Sequence, residues 1–149
     1  MVNTAAIPSK LQDRAQWVCW RIVHRNNRPA KIPIDPGTGN YATVTDPATW
    51  TEYSTAQDYY HCEDVDGLGY VFTADGPYAG VDLDDVRNPD TALVEEWALD
   101  VLLTLDSYTE RSPSGRGYHV LVERLTYTTF YFNLGAMPLG WRVIIRHHA

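Results

Sequence analysis

From Val81 onward, the stretch Gly80-Val81-Asp82-Leu83-Asp84-Asp85 alternates apolar and acidic residues, the period-2 pattern of a strand with one face in the core. Val81 and Leu83 share one face, Asp82 and Asp84 the other. Same-face neighbours on a strand stand roughly 6.5–7 Å apart. Two carboxylates at that spacing suit a pair of divalent metals about 3.5–4 Å apart, the arrangement of in-line phosphoryl transfer. Any half-exposed strand also alternates in this way, so a solvated acidic face is the competing reading of these residues alone. A second motif weighs against it. Ser112-Pro113-Ser114-Gly115-Arg116-Gly117-Tyr118-His119 reads as a glycine-rich turn entering a strand that opens on a histidine. Such a turn offers backbone N–H groups and a cation to phosphate. An acid pair followed by a phosphate cradle is the chemistry of nucleotidyl transfer.

Working outward, Trp17 to Val23 is a strand by its aromatic and β-branched content. Arg25 to Arg28 is a polar turn, and Lys31 to Ile34 a return strand that its proline confines to an edge or a sheet end. Asp46-Pro47 pairs an N-cap acid with a first-turn proline, and helical spacing then runs through Trp50, Tyr53 and Tyr60 to about Cys62. Asp66 to Thr73 and Tyr78 to Asp84 are strands joined by Ala74-Asp75-Gly76-Pro77, which predicts a β-hairpin. Val94, Trp97, Val101, Leu102 and Leu105 form an apolar stripe on a helix expected over about Thr91 to Leu105. Ser107 to Arg111 and Tyr118 to Glu123 are two further strands. The central order β-β-α-β-β predicts an α+β fold, a mainly antiparallel sheet with helices packed on it. Residues 1–125 form the expected domain, and 126–149 an atypical tail. Within that tail Thr126 to Phe132 has strand composition, and Gly135 to Ala149 has no clear logic.

The chain has 149 residues, 44% of them hydrophobic and 21% charged, values of an ordinary globular domain. Ten Tyr and five Trp favour a packed fold over disorder. No apolar run approaches the roughly 20 residues of a membrane span and no leader pattern opens the chain, which points to a soluble, cytoplasmic protein. Cys19 and Cys62 have no ligand-spaced partner, so they read as two buried thiols instead of a zinc site. The closing His147 and His148 read as tail residues. The net charge of −7 runs against the basic footprint of proteins that handle nucleic acid. Abundant Asp, many Thr and only two lysines, Lys10 and Lys31, resemble haloarchaeal composition. At ~1 M salt the Debye length falls to ~3 Å, and an acidic surface no longer repels DNA.

Taken together these motifs resemble the phage- and plasmid-type primase-polymerase domains of the archaeo-eukaryotic primase superfamily. The resemblance covers roughly residues 15 to 123 and rests on motifs in order. Trp17-Val18-Cys19-Trp20, Lys31-Ile32-Pro33 and Asp46-Pro47-Ala48-Thr49-Trp50 come first. Gly67-Leu68-Gly69-Tyr70-Val71-Phe72, the acid pair, Ser107-Tyr108-Thr109-Glu110 and the Ser112–His119 run follow. It implies an RRM-like catalytic core, with Asp82 and Asp84 binding catalytic Mg²⁺ or Mn²⁺. It also implies that His119 contacts the incoming nucleotide's phosphates, with Ser114, Gly115, Arg116 and Gly117 as the adjoining phosphate-binding segment. The implied activity is template-directed nucleotidyl transfer on single-stranded DNA with NTP or dNTP, in a mobile element or a host replicon, alongside a helicase domain or subunit. One departure stands out. Members carry a third metal-binding carboxylate on a later strand, whereas no Asp or Glu follows Glu123 here. A truncated or divergent C-terminus is the expectation, and a non-catalytic nucleotide- or nucleic-acid-binding module is the alternative function. A haloacid-dehalogenase-like phosphatase also begins with D-x-D, but it needs a Thr or Val where Asp85 stands, and a parallel sheet. Glu110 is left open between a structural and a supporting role.

Overall fold

The computed structural model describes residues 2–123 and, by its backbone, the strand Val143–Arg146. The chain forms two compact units that divide between Val71 and Phe72.

In the first unit a short helix α1 (Ser9–Gln12) leads into β1 (Trp17–Arg25), whose aromatic and β-branched residues suit a pleated, half-buried surface. Asn26 and Asn27 turn the chain with φ of 52° and 59°, the left-handed pair that a two-residue hairpin turn requires and asparagine tolerates. β2 (Arg28–Ile34) returns antiparallel, from Arg28 opposite Arg25 to Ile34 opposite Cys19. Pro29 and Pro33 keep β2 at the edge of a sheet ordered β2-β1-β3, the position expected for a proline-bearing strand. β3 (Gly67–Tyr70) flanks β1 on its other side. A Cβ on Gly67 would stand 2.6 Å from the Trp20 ring, so only glycine admits that indole. The Trp20 Nε1–H in turn donates to the Leu68 carbonyl at 2.9 Å. Helix α2 (Tyr53–Cys62) packs on this sheet. Ala56 and Cys19 are fully buried, and the Cys19 thiol donates to the Ala56 carbonyl.

The second unit is a four-stranded antiparallel sheet ordered β5-β6-β4-β7, formed by β4 (Tyr78–Leu83), β5 (Thr109–Arg111), β6 (Tyr118–Glu123) and β7 (Val143–Arg146). Helix α3 (Glu96–Leu105) covers it. Its Ala98 joins Val81, Leu83, Val86, Val120 and Val122 in the core, flanked by Val94, Trp97, Val101, Leu102 and Leu105. The apolar parity of β4 therefore faces the helix, as the alternation predicts. The protein is α+β, with antiparallel sheets and helices packed on them.

Four expectations change. Asp66–Thr73 and Tyr78–Asp84 do not pair as a hairpin; β3 joins β1, while β4 takes β6 and β7. The two glycines of β3 explain this choice, since they fit the flat side of Trp20 and Val18. The helix expected from Asp46 is split in two. Asp46 does cap, accepting the Ala48 N–H at 3.0 Å, but over a single 3-10 turn, Pro47–Thr49. Trp50 is then extended, and Thr51 bridges to Trp17 through two backbone hydrogen bonds before α2 begins. α3 starts at Glu96 and not near Thr91. The Asn88 side chain accepts the N–H groups of Asp90 and Thr91, and Val94 bridges to Arg87. The Ser107–Arg111 strand shortens to Thr109–Arg111 because Asp106 takes a left-handed conformation (φ 39°). The expected strand Thr126–Phe132, and the tail 126–149 apart from β7, lie outside the described residues. β7 itself is a strand that Gly135–Ala149 did not suggest.

Candidate active site

β4 is an interior strand, and its neighbour β6 sets Asp82 directly opposite His119. β5 on the far side of β6 sets Glu110 opposite the same histidine. Directly opposed residues share a face, so Glu110, His119 and Asp82 form one row across three strands. The His119 Nδ1 lies 3.2 Å from Glu110 Oε1, and its Nε2 lies 3.9 Å from Asp82 Oδ1. The Asp82 side chain is 16% exposed, His119 28% and Glu110 49%, so the row runs from a shielded acid to an open one. On β7 the position opposite Asp82 is Ile144.

Asp84 follows the last residue of β4 and is exposed, and Asp85 next to it is left-handed (φ 52°). The chain thus turns away at the end of the acid pair. The Ser112–Gly117 loop closes against that turn. A Cβ on Gly117 would fall 2.2 Å from the Leu83 carbonyl oxygen and 3.3 Å from the Asp84 Cα, so this position admits only glycine. The loop is held from within. The Ser112 hydroxyl accepts the Gly117 N–H at 3.1 Å and stands 3.0 Å from the Ser114 hydroxyl. The Ser112 carbonyl accepts the Gly115 N–H, and the Ser114 hydroxyl the Arg116 N–H. The N–H groups of Gly115, Arg116 and Gly117 are therefore committed inside the loop in this conformation. That leaves fewer backbone donors for a ligand than the glycine pattern suggested. Arg116 reaches Asp85 at 2.6 Å in an exposed ion pair.

Of the residues singled out in the sequence, the fold joins Asp82 to His119 and sets Gly117 against Asp84. It turns Arg116 toward Asp85. Two participants get their place from the structure: Glu110, whose role the sequence left open, and Arg87. Glu110 meets His119 because the six-residue loop fixes Arg111 opposite Tyr118, a register that loop length and strand parity encode. Arg87 holds the loop from below, its side chain donating to the Gly115 carbonyl and its N–H to the Arg116 carbonyl; nothing in the sequence marks it. Among the described residues no cluster of three or more His, Cys, Asp or Glu is arranged to hold a metal ion. Asp82 and Asp84 are nonetheless hard oxygen donors. Mg²⁺ is commonly held by one or two carboxylates, with substrate phosphates and waters supplying the rest, so the donor chemistry fits.

Sequence comparison gives the class: the chain carries a primase-polymerase domain of the phage type. It is similar to the DNA primase-polymerase of Nitratiruptor phage NrS-1, with 41% identity over 108 residues, which is 72% of this chain. The matched stretch spans only 14% of that phage protein. No protein-family model matches the chain. Among the described residues no helix is long and apolar enough to cross a membrane.

Proposed function

We propose that this domain carries the nucleotide site of a template-directed DNA primase or polymerase, with Asp82, Asp84 and His119 at its centre and an RRM-like core beneath them. The observation that carries the reading is the direct opposition of Asp82 and His119 next to the Gly117 contact with Asp84. Asp82 and Asp84 hold Mg²⁺ or Mn²⁺, which supplies charge neutralisation at the reacting phosphates. His119 directs Nε2 toward the same end of β4 and, as an imidazolium with Nδ1–H on Glu110, donates Nε2–H to a triphosphate oxygen, as a positioned donor does where charge develops. Arg116 exchanges Asp85 for phosphate at small cost, since water and salt screen an exposed ion pair and leave it contributing little. The Ser114 hydroxyl lies on the same loop, whose shape Gly115 and Gly117 permit. The partners in this reading are single-stranded template DNA, NTP or dNTP, and a helicase domain or subunit. The setting is the cytoplasm, in the replication of a mobile element or a host replicon, and the composition suits a salt-loving host.

A second reading, a nucleotide-binding module that does not catalyse, is favoured by one observation: Ile144 stands opposite Asp82 on β7, where a third carboxylate would close the site. The two readings meet in one experiment. Asp82→Asn with Asp84→Asn is expected to abolish manganese binding in calorimetry, because neutral amides are poor ligands for a hard cation. An unchanged affinity in the folded double variant would place the metal elsewhere. Primer extension by the 149-residue chain in manganese is expected to run about 10²–10³ below that of the Ile144→Glu variant, the scale of removing one group that stabilises developing charge. Robust extension by the unaltered chain would reject the module reading and make Glu110 the first residue to substitute.

A further inference from the structure

Between Asp13 and Asp35 the chain has no acidic residue, yet it carries Arg14, Arg21, Arg25, Arg28 and Lys31. Five of the twelve Lys and Arg and none of the nineteen Asp and Glu fall in this stretch of a chain whose net charge is −7. The fold concentrates these charges further. β3 pairs with β1 only from Trp17 to Trp20, so Ile22–Arg25 and Arg28–Lys31 continue beyond it as a two-stranded ribbon. Its base is tied down, with the Ile22 N–H on Asp66 Oδ2 and the Arg21 Nε–H on the Asp64 carbonyl. Its tip is not. Arg25 and Arg28 are both exposed and stand directly opposite each other, and neither makes an ion pair among the described residues.

Like charges directly opposite on paired strands are destabilising, and a two-stranded ribbon is marginal by itself. The tip therefore works against the stability of the unit that carries it. The register also puts Arg21 on the same face as Arg25 and Arg28, about 13 Å along the strand at ~3.3 Å per residue. That makes a row of guanidinium groups suited to successive phosphates, since the planar fork binds phosphate oxygens in pairs.

We propose that the β1–β2 ribbon is a nucleic-acid contact that grips the sugar-phosphate backbone of single-stranded DNA through Arg25 and Arg28, with Arg21 behind them. The contact is sequence-independent, because phosphate contacts position a strand without reading it. It belongs to the first unit and uses none of the groups around Asp82. The inference rests on the DNA-handling reading above for its choice of polyanion, and on charge and register for its location.

The test is fluorescence anisotropy of labelled oligothymidylate with the whole chain, from about 50 to 200 mM salt, where phosphate contacts show as a slope of about −0.7 per contact for single strands. Arg25→Ala with Arg28→Ala is expected to weaken binding about tenfold at ~0.1 M salt and to flatten the slope by about 1.4. Arg25→Lys with Arg28→Lys keeps the charges and should keep the slope, which guards against a loss due to misfolding. Equal affinity and equal slope in the alanine variant would overturn the proposal. So would binding of the wild-type chain to phosphatidylserine vesicles without binding to the oligonucleotide. Triphosphate affinity measured in parallel separates the two proposals. A chain that grips DNA through these arginines but binds no triphosphate sinks the proposed function and supports this contact. A chain that binds triphosphate, and binds DNA equally with or without the arginines, overturns this contact alone.

Discussion

Among the described residues, two antiparallel hairpins are built on opposite plans. β1–β2 closes with two asparagines in left-handed conformations and ends on a bare pair of opposed arginines. β5–β6 closes with six residues whose N–H groups, hydroxyls and carbonyls are largely used on one another, braced by Arg87. In the first, order comes from the turn and the charges stay outside. In the second, order comes from the loop, and its one exposed cation is matched by Asp85. A rigid loop suits a site that must hold a small ligand in one geometry, because misplacement by about 1 Å is costly in a reacting complex. A projecting ribbon with unmatched charge suits a long, variable polyanion.

Glycine substitution breaks this comparison hardest. Gly117→Ala drives a methyl group into the Leu83 carbonyl, 2.2 Å away. Backbone on both sides leaves nothing to rotate, so a loss of about 3 kcal/mol or more is expected, at or above the upper end of overpacking costs. In Gly67→Ala the obstacle is the Trp20 ring at 2.6 Å, a side chain that is able to shift, and the expected cost is about 1–3 kcal/mol. Urea unfolding of both variants gives the order. A smaller loss for Gly117→Ala than for Gly67→Ala would mean the loop yields where the structure shows it fixed.

What was legible in the sequence follows the same division. Val81, Asp82 and Leu83 carried their own period, so strand and faces were readable locally, although β4 ends at Leu83 and leaves Asp84 just beyond it. Tyr118–Glu123 was readable to the residue. Strand partnership was not, because the glycines that send β3 to β1 signal close approach without naming what approaches. The Asp46-Pro47 cap was correct chemistry on too short an element, since a bridge from Thr51 to Trp17, far away in sequence, interrupts the helix. The glycine-rich turn was read as a source of N–H donors, but Ser112 and Ser114 satisfy those donors inside the loop. Propensity sees a turn without seeing where its hydrogen bonds go.

The buried thiol of the first unit gives a contrast that depends on pH. Burial pushes Cys19 up from 9.0 to about 12. An unfolded thiol has ionised above 9, while the folded one keeps its proton to about 12, so over that window the native state holds one proton more. Stability is therefore complete below 9 and falls as pH rises toward 12, by up to about 1.4 kcal/mol per pH unit. Cys19→Ala removes this slope, and comparing urea melts of wild type and variant across the window cancels the other ionisations. Identical slopes would show that Cys19 titrates freely when folded. Cys62, expected from the sequence to be buried, is exposed at the end of α2 and should react first with a thiol reagent.

The smallest expected effect sharpens the second hairpin. Glu110 reaches His119 Nδ1 at 3.2 Å on an open face, and the opposite ring nitrogen points toward Asp82. A carboxylate on Nδ1 holds the hydrogen there and leaves Nε2 oriented toward the acid pair, as partners on the far nitrogen fix an imidazole elsewhere. A half-exposed hydrogen bond of this kind is worth about 0.5–1.5 kcal/mol. Glu110→Ala should therefore weaken triphosphate binding severalfold, to about tenfold at most. Glu110→Gln keeps an acceptor oxygen in place and should restore most of that loss. The ¹⁵N shifts of His119 report the tautomer directly, and they should change in the alanine variant but not in the glutamine one. A purely structural Glu110 would alter neither tautomer nor affinity while lowering the melting temperature, and that outcome would detach it from the row and leave His119 to be oriented by β6 alone.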